Sequence, residues 1–355
     1  MVRRGDICLF SLEWRLVFKY QFLECLYLVS EMINVAIIAG GPSAERGVSL
    51  KSAQTIAKHL PSEKYNSTTI DVSPDGWCAI DSGQKVDLNT FCLLNKDGKQ
   101  GIKFDFAFII VHGTPAEDGK LQGYFEMMGI SHSACGVLTS ALTFNKQMCK
   151  DHLKQYDIPM AESMIVTKII SRGEVEQNGI NVPMFVKPNN NGSSYGVTKV
   201  KDWTQLETAI AHALEYDHEV MIERALVGKE FSCGVVREGT TYHVLPITEI
   251  IPKGEFFDFA AKYEGESQEI TPARLQKELA DQCQERSGRL YRLLGCRGMV
   301  RFDYILEGDT FYLLEANTTP GMSEASIIPQ QAKAYGWSIS TLLDIVVTDC
   351  LANSH

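Results

Sequence analysis

The chain has 355 residues, a formal net charge of −10 at pH 7, and a composition that is 45% hydrophobic and 22% charged. This length exceeds what one hydrophobic core normally serves, so two or three domains are expected, and the composition excludes a disordered or fibrous chain. The acidic balance and the lack of a long basic run argue against a nucleic-acid binder, which needs a basic face.

The amino-terminal stretch, residues 1–31, mixes apolar residues with charges such as Asp6, Glu13 and Lys19. Charges interrupt every apolar run, so neither a signal peptide nor a membrane span fits. We interpret this stretch as an appendage outside the fold, with a surface-docked amphipathic helix as the alternative. The ten cysteines occur singly, without a CxxC pair or zinc spacing, and we expect reduced thiols in a cytoplasmic protein.

Strand and helix patterns alternate over residues 32–138. An apolar run at 34–39 predicts a strand ending at Gly40–Gly41, and helical spacing follows up to Leu60. A second strand is predicted over 104–111 and a helix over 121–128. This alternation predicts an N-terminal doubly wound α/β domain, whose parallel sheet receives ligands at its carboxyl edge.

The rest of the chain is expected to form two α+β segments, residues 139–227 and 228–355. For the first we predict helices over 140–156 and 203–214, and strands over 163–166, 184–187 and 219–223. For the second we predict strands over 231–236, 242–251, 299–306 and 310–315, and helices over 274–294 and 338–347.

A loop of small residues, NNGSSYG at 190–196, follows the strand that ends at Lys187. Such residues let backbone N–H groups approach phosphate oxygens closely, and serine hydroxyls add donors. The spacing is not that of a Walker A loop. A hairpin turn explains the same residues equally well.

Two neighbouring strands carry RFD at 301–303 and EAN at 315–317. Alternation places Arg301 with Asp303 on one face, and Glu315 with Asn317 likewise. Two carboxylates and an amide oxygen suit Mg²⁺ that bridges nucleotide phosphates, and the arginine is a donor for a phosphoryl group or an oxyanion. Solvated strand faces are the alternative, but both strands are otherwise apolar.

Other segments give weaker signals. Glu45 follows the first strand, where a carboxylate either holds a substrate ammonium or favours the helix dipole. The aromatic segment 256–263 is either a lid over the site or a packed loop. In the loop 318–323, a glycine N–H can serve an oxyanion, and the hydroxyl of Ser326 can hold a carboxylate.

Taken in order, the motifs are similar to those of the D-alanine–D-alanine ligase family of the ATP-grasp superfamily. They are GGPSAERGVSLKSA, HGTPAEDGKLQGYFE, VKPNNNGSSYGVTKV, FFDFAAKYEG, and RFDYIL followed by LLEANTTPGM. The resemblance covers residues 33–350. It implies an N-terminal α/β domain followed by a two-lobed ATP-grasp fold that grips ATP between its lobes.

The resemblance also implies roles for particular residues. For the nucleotide they are Lys146, Lys187 and Lys262 at the phosphates, Glu223, Arg224, Ala225, Leu226 and Glu230 at the adenine and ribose, and Phe256 packed on the adenine. The implied ligands of two magnesium (or manganese) ions are Asp303, Glu315 and Asn317. For the amino acids, the resemblance implies that Glu45 and His112 bind the first substrate and that Ser193 and Tyr263 lock a lid to Glu45. It also implies that Arg301 and Gly321 stabilise the oxyanion and that Ser326 binds the carboxylate of the second substrate.

The implied reaction joins two D-alanines for peptidoglycan precursor synthesis through an acyl phosphate, with catalysis by positioning and electrostatics. Tyr263 favours an amine as second substrate, because related D-lactate-using ligases usually lack it. Pro42, Gly47, Phe259 and the pair 324–325 depart from the usual family residues. A ligase for D-serine or D-lactate, or a catalytically silent nucleotide-binding protein, stays open as an alternative, and so does a homodimer.

Overall fold

The computed structural model describes residues 32–192, 195–252 and 267–353. The appendage predicted for residues 1–31 and the aromatic segment 256–263 lie outside these ranges, so both interpretations stay predictions. Within these ranges, no helix is both long enough and apolar enough to cross a membrane.

The first segment is built on a five-stranded sheet. Its elements are β1 (Ile33–Gly40), α1 (Arg46–His59), β2 (Tyr65–Ser73), β3 (Gly76–Ala79), β4 (Val86–Asp87), β5 (Cys92–Leu94), β6 (Gln100–Lys103), β7 (Phe106–Ile109), α2 (Lys120–Met127) and β8 (Ser131–His132). The strand order is β3-β2-β1-β7-β8, and all neighbours except β3 are parallel. The predicted parallel sheet is confirmed. The small sheet β4-β5-β6 was not predicted, because strands of two to four residues carry no readable periodicity.

The second segment carries a four-stranded antiparallel sheet with its own core. Its elements are α3 (Val137–Phe144), α4 (Lys146–Lys154), β9 (Ser163–Val166), α5 (Arg172–Gln177), β10 (Met184–Pro188), β11 (Thr198–Val200), a 3₁₀ turn (Trp203–Gln205), α6 (Leu206–Leu214) and β12 (Val220–Arg224). The strand order is β11-β10-β12-β9. One apolar cluster is drawn entirely from residues 164–222, so this lobe has a core separate from the rest.

The third segment is a six-stranded antiparallel sheet flanked by helices. Its elements are β13 (Lys229–Glu238), β14 (Thr241–Val244), β15 (Thr248–Pro252), β16 (Ser267–Ile270), α7 (Lys277–Leu293), β17 (Met299–Glu307), β18 (Thr310–Asn317), α8 (Ile327–Tyr335) and α9 (Ile339–Ala352). The order is β16-β15-β13-β17-β18, and β14 also pairs with β13. Helices α5 and α8 were not predicted, and α9 extends beyond the predicted end at 347.

The helix predicted over residues 140–156 is wrong as a single unit. It is divided into α3 and α4 at Asn145, whose backbone leaves the helical region at φ −83° and ψ 103°. The side chain of Asn145 accepts a hydrogen bond from Met148 N at 2.9 Å, which makes it the N-cap of α4. The division places Lys146 at the start of a new helix.

The strand predicted over residues 242–251 is also wrong as a single unit. It is divided into β14 and β15, which pair in turn with the two ends of β13. Pro246 lies between them and has no N–H to donate to a sheet ladder, so regular pairing is interrupted there.

The end of the chain packs against its beginning. One apolar core contains Val35 and Ile37 of β1 together with Leu342 and Val346 of α9. Helix α9 also packs on β13, so it connects the third sheet to the first. The domain boundaries at 138 and 227 stay predictions, since this core is shared across the first and third segments.

Candidate active site

A cavity of about 450 Å³ lies between the sheet of the second segment and that of the third. Phe185 and Lys187 of β10 line one wall, and Ile250, Asp303 and Glu315 line the other. Volumes of this order hold drug-sized ligands. Further cationic side chains on the wall are Lys146, Lys199, Arg224, Lys229 and Arg274. Apolar walls with several cations suit a planar base that carries phosphates.

Glu223, on β12, lies between two lysines at the back of this cavity. Its Oε1 is 2.5 Å from Lys150 Nζ, and its Oε2 is 2.6 Å from Lys187 Nζ. Burial by itself would raise the pKa of Glu223, but the charges of Lys187 and Lys150 outweigh burial and hold the pKa at about 2. Glu223 is therefore a carboxylate anion at neutral pH.

Arg224 lines the cavity, and two carboxylates hold its side chain. Its Nε donates to Glu162 at 2.6 Å, and its Nη1 donates to Glu307 at 3.0 Å. The N–H groups of Arg224 and Ala225 donate to the main-chain carbonyls of Glu162 and Pro183. Leu226 and Glu230 also line the cavity. The guanidinium of Arg224 is thus held in place by Glu162 and Glu307.

The inner end of the cavity is formed by one face of β17 and β18. Arg301 pairs with Asn317, and Asp303 pairs with Glu315, in antiparallel register. Arg301 donates from Nε to Asp303 Oδ1 at 2.9 Å and from Nη2 to Oδ2 at 2.7 Å. The hydroxyl of Ser232 also donates to Asp303 Oδ1. The four residues predicted from the sequence therefore do lie together.

This group of side chains suits a hard divalent cation that phosphate oxygens also ligate. Among residues 32–192, 195–252 and 267–353, no group of three or more His, Cys, Asp or Glu side chains could hold a metal by itself. Oδ2 of Asp303 accepts one described hydrogen bond and keeps a lone pair, and the Asn317 amide oxygen accepts one from Thr319 N at 3.1 Å. Mg²⁺ typically takes one or two carboxylates and fills its remaining positions with phosphate and water.

A smaller polar cavity of about 60 Å³ adjoins the first and shares Lys146, Gly192 and Glu315 with it. Its wall also holds Glu45 and His112. Glu45 is 5% exposed, and its side chain does not cap helix α1, which begins at the next residue. Both interpretations of Glu45 therefore stay predictions: a carboxylate at the N-terminus of α1 favours the helix dipole, and it also borders a cavity that can hold a small ligand.

The turn after β1 sets the position of Glu45. Gly41 has φ +86°, and a Cβ there would lie 2.6 Å from Cγ1 of Val111. Only glycine fits such a position without strain. A Cβ on Gly192 would lie 3.7 Å from Glu45 Oε2 and 3.6 Å from Glu117 Oε2, so two carboxylates border the glycine loop.

His112 is buried in the same small cavity. Burial lowers its pKa, but Glu117, whose Oε1 lies 3.9 Å from Nδ1, and the charge of Glu45 outweigh burial and leave the pKa raised. Its Nε2 has no hydrogen-bond partner among the described residues. Buried polar atoms are normally bonded, so this donor points to a ligand with an acceptor, such as a carboxylate.

Gly321 and Ser326 lie together in the loop between β18 and α8. A Cβ on Gly321 would be 3.1 Å from Ser326 Oγ. Ser326 is the N-cap residue of α8, but its hydroxyl is bonded to Ser323 Oγ at 2.8 Å and does not cap the helix. A hydroxyl at a helix N-terminus is suited to an anionic group.

Four predicted site residues lie outside the described part of the chain: Ser193, Phe256, Lys262 and Tyr263. Their roles stay predictions. Lys146, by contrast, begins α4 and donates from Nζ to the carbonyl of Asn191 at 2.5 Å, which connects it to the glycine loop. It lines both cavities.

Sequence reasoning missed three titratable residues near the site: Lys150, Glu117 and Glu269. Lys150 follows Lys146 by four residues on one helix, and this spacing was a readable signal. Glu269 accepts a hydrogen bond from Gln330 in α8 at 3.0 Å, and burial raises its pKa against the charge of Arg301. No local pattern identifies Glu269, because only strand pairing and helix packing bring it to the site.

Known proteins resemble the chain over most of its length. The D-alanine--D-alanine ligase of Phocaeicola vulgatus is 45% identical over 325 residues, which is 90% of this chain and 98% of that protein. The VanG D-Ala:D-Ser ligase of Enterococcus faecalis is 30% identical with a TM-score of 0.79, and the alignment covers 90% of this chain and 99% of that one. The D-alanine--D-alanine ligase of Bacillus anthracis, solved with ATP, is 29% identical with a TM-score of 0.73, covering 90% and 98%.

Two lobes that enclose a nucleotide-sized cavity, with carboxylates on adjacent strands at its inner end, place the chain among the ATP-grasp ligases. The family profiles are more specific. Residues 34–135 match the D-ala D-ala ligase N-terminus, and residues 153–348 match the D-ala D-ala ligase C-terminus. The chain belongs to the D-alanine–D-alanine ligase family.

Proposed function

We propose that this enzyme joins two D-alanines to D-alanyl-D-alanine at the expense of ATP, releasing ADP and phosphate, as a step in peptidoglycan precursor synthesis. The observation that carries the proposal is the shared wall of the two cavities. Glu315 and Lys146 border both the nucleotide-sized cavity and the small polar cavity with Glu45 and His112. A phosphoryl group held in the first cavity would therefore meet a carboxylate held in the second.

The first step is phosphoryl transfer. Glu45 binds the ammonium of the first D-alanine, and His112, whose pKa is raised despite burial, donates from Nε2 to the carboxylate. That carboxylate oxygen attacks the γ-phosphorus of ATP, and ADP leaves with the electron pair of the broken P–O bond. Holding both reactants in adjoining cavities supplies most of the acceleration, because it makes the encounter intramolecular.

The second step forms the peptide bond. Ser326 and the start of α8 hold the carboxylate of the second D-alanine. Its neutral amine attacks the acyl phosphate carbon, and Arg301 with the N–H of Gly321 stabilises the oxyanion that forms. The C–O bond to phosphate then breaks, and the phosphate leaves with the proton that the amine loses. The acyl phosphate must be shielded from water, which is the role we assign to Ser193, Lys262 and Tyr263.

Asp303, Glu315 and Asn317 would hold magnesium, and we propose two ions, with manganese as a substitute. When bound, the metal neutralises the phosphate oxygens and so favours attack on phosphorus. Lys146 and Lys187 would contact the phosphates. Glu223, Ala225, Leu226 and Glu230 would bind the adenine and ribose, with Phe256 packed on the base. We assign the reaction to the cytoplasm.

The test is ADP release by the purified full-length chain with Mg–ATP and D-alanine, with the dipeptide identified by mass spectrometry. D-serine and D-lactate are added in competition at several pH values, because only an amine loses nucleophilicity on protonation. Dominant incorporation of D-serine or D-lactate would support the alternative second substrate. Tight ATP binding without D-alanine-dependent ADP release would make the chain a silent nucleotide-binding protein. Sedimentation of the same sample distinguishes a monomer from a homodimer.

A further inference from the structure

Lys150 is a buried lysine behind the nucleotide-sized cavity. It lies one turn after Lys146 on helix α4, and its side chain is 13% exposed. Its Nζ is 2.5 Å from Glu223 Oε1 and 2.6 Å from the carbonyl oxygen of Ala161. Lys187 and Glu223 line the cavity, whereas Lys150 does not.

The charges of this group do not cancel. Glu223 contributes one negative charge, and Lys150 and Lys187 contribute two positive charges through separate carboxylate oxygens. Burial lowers the pKa of Lys150, and the charge of Glu223 opposes that effect. One buried ion pair needs only one cation. The second cation is explained if one of the two lysines leaves Glu223 for another anion.

Geometry decides which lysine leaves. Lys187 is on the cavity wall, so a ligand can reach it. Lys150 is behind Glu223 and is also bonded to a main-chain carbonyl. If Lys187 moved to a ligand in the absence of Lys150, Glu223 would become a buried carboxylate with no cation, which is strongly unfavourable.

We propose that Lys150 is a positioning residue that keeps Glu223 neutralised, so that Lys187 can exchange Glu223 for the phosphates of the bound nucleotide. Lys150 acts through Glu223 and never touches the nucleotide. The inference rests on the proposed function only in taking the ligand to be a nucleotide.

The experiment measures binding by calorimetry without D-alanine, using the full-length chain and two probes. One probe is the non-hydrolysable ATP analogue AMP-PNP with Mg²⁺, and the other is adenosine, which has no phosphates. In K150M we expect the affinity for AMP-PNP to fall on the order of 10-fold or more, and that for adenosine to change less than about 2-fold. The matched control is K154M, an exposed lysine of the same helix, which should change neither affinity.

A second variant makes the test specific to the charge on Glu223. In K150M/E223Q the anion is gone, so Lys187 is released again. The ratio of the AMP-PNP affinity to the adenosine affinity should then equal the ratio measured for E223Q alone. This comparison holds even where E223Q itself changes adenosine binding. If K150M folds poorly, K150Q takes its place, since it keeps a donor for the Ala161 carbonyl.

Equal weakening of both probes in K150M would show a purely structural role and overturn the proposal. Unchanged AMP-PNP binding in a folded K150M protein would overturn it as well, and so would a wild-type chain that binds no nucleotide. Failure of the proposed function looks different. A wild-type chain that binds AMP-PNP but releases no ADP with D-alanine refutes the ligase assignment and leaves this measurement valid.

Discussion

Asp303 and Glu315 lie directly opposite each other on the antiparallel strands β17 and β18, so two carboxylates share one face at the inner end of the nucleotide-sized cavity. Like charges in directly opposed positions destabilise a sheet. Arg301 binds Asp303 through two hydrogen bonds and relieves part of that repulsion. A cation delivered with the nucleotide would relieve more, and this has a measurable consequence for Glu315.

We expect E315Q to lower turnover with Mg–ATP by on the order of 100-fold or more, because a carboxylate ligand to the metal is lost. The melting temperature without ligand should stay equal or rise, since one of two opposed charges is removed. In E315Q, Mg–ATP should raise the melting temperature by less than it does in the wild type, which thermal shift assays can measure. D309N, in the exposed turn between the same strands, is the control and should resemble wild type. An E315Q protein with full Mg–ATP stabilisation would contradict the metal assignment.

Glu45 gives a prediction about the first substrate. In E45Q a buried charged partner of the ammonium is truncated, and such losses amount to about 2–5 kcal/mol. The KM of the first D-alanine should therefore rise about 30-fold or more, while the KM of ATP changes little. Steady-state ADP release over a wide range of D-alanine concentrations separates these constants. E63Q, an exposed glutamate beyond helix α1, should leave both unchanged. An equal rise in the KM of ATP would instead indicate general damage to the site.

Ser326 gives the corresponding prediction for the second substrate. Removal of a hydroxyl that binds a carboxylate costs about 1.5–3 kcal/mol, so S326A should raise the second KM of D-alanine roughly 10- to 100-fold. The first KM should not change. Ser323 donates to or accepts from Ser326 Oγ at 2.8 Å, so S323A should have a smaller effect through loss of orientation. If S323A is as damaging as S326A, the carboxylate is held by Ser323 or by both.

Two buried histidines should titrate on opposite sides of the ordinary value of 6.5. The pKa of His112 is raised by Glu117 and Glu45 despite burial, whereas burial lowers the pKa of His132 against the charge of Glu126. The His112 contribution to stability is thus present below pH 6.5 and is lost as the pH rises through its folded pKa. The fold favours the neutral form of His132, so its contribution to the free energy of unfolding is present above pH 6.5 and is lost as the pH drops through its lowered pKa. NMR titration of ring-labelled histidines, assigned with H112Q and H132Q, would refute this if both midpoints lay on the same side.

Two glycines with the same backbone conformation allow a steric cost to be isolated. Gly298 and Gly308 both have φ +59°. A Cβ on Gly298 would collide with the carbonyl oxygen of Ser133 in the first segment, whereas a Cβ on Gly308 would meet nothing within 4 Å. We expect G308A to lose about 1 kcal/mol and G298A about 2–4 kcal/mol of unfolding free energy. Urea denaturation of both variants checks this, and equal losses would mean that the collision relaxes without cost.

Strongly periodic elements were predictable because their signal is local. The strand β1 has consecutive buried apolar residues, and β17 with β18 places polar residues in an apolar alternation that could be read without a structure. The same alternation placed Arg301, Asp303, Glu315 and Asn317 on a common face. Errors arose where a single side chain overrode the pattern, as Asn145 does by capping a new helix and Pro246 does by interrupting a ladder.

The sequence by itself determined the chemistry available, namely the carboxylates, the cations, the glycine loop and the ordered motifs of a ligase family. Only the tertiary structure decided which charges meet. Lys150 and Lys187 are far apart in sequence from one another, yet both bind Glu223, because α4 packs on the sheet at β9 and β10 pairs with β12. Electrostatic energies depend on distance and on burial, and neither is present in a one-dimensional pattern. For that reason the sequence predicted a phosphate-binding role for Lys187, and only the fold showed that a second lysine, Lys150, shares Glu223 with it.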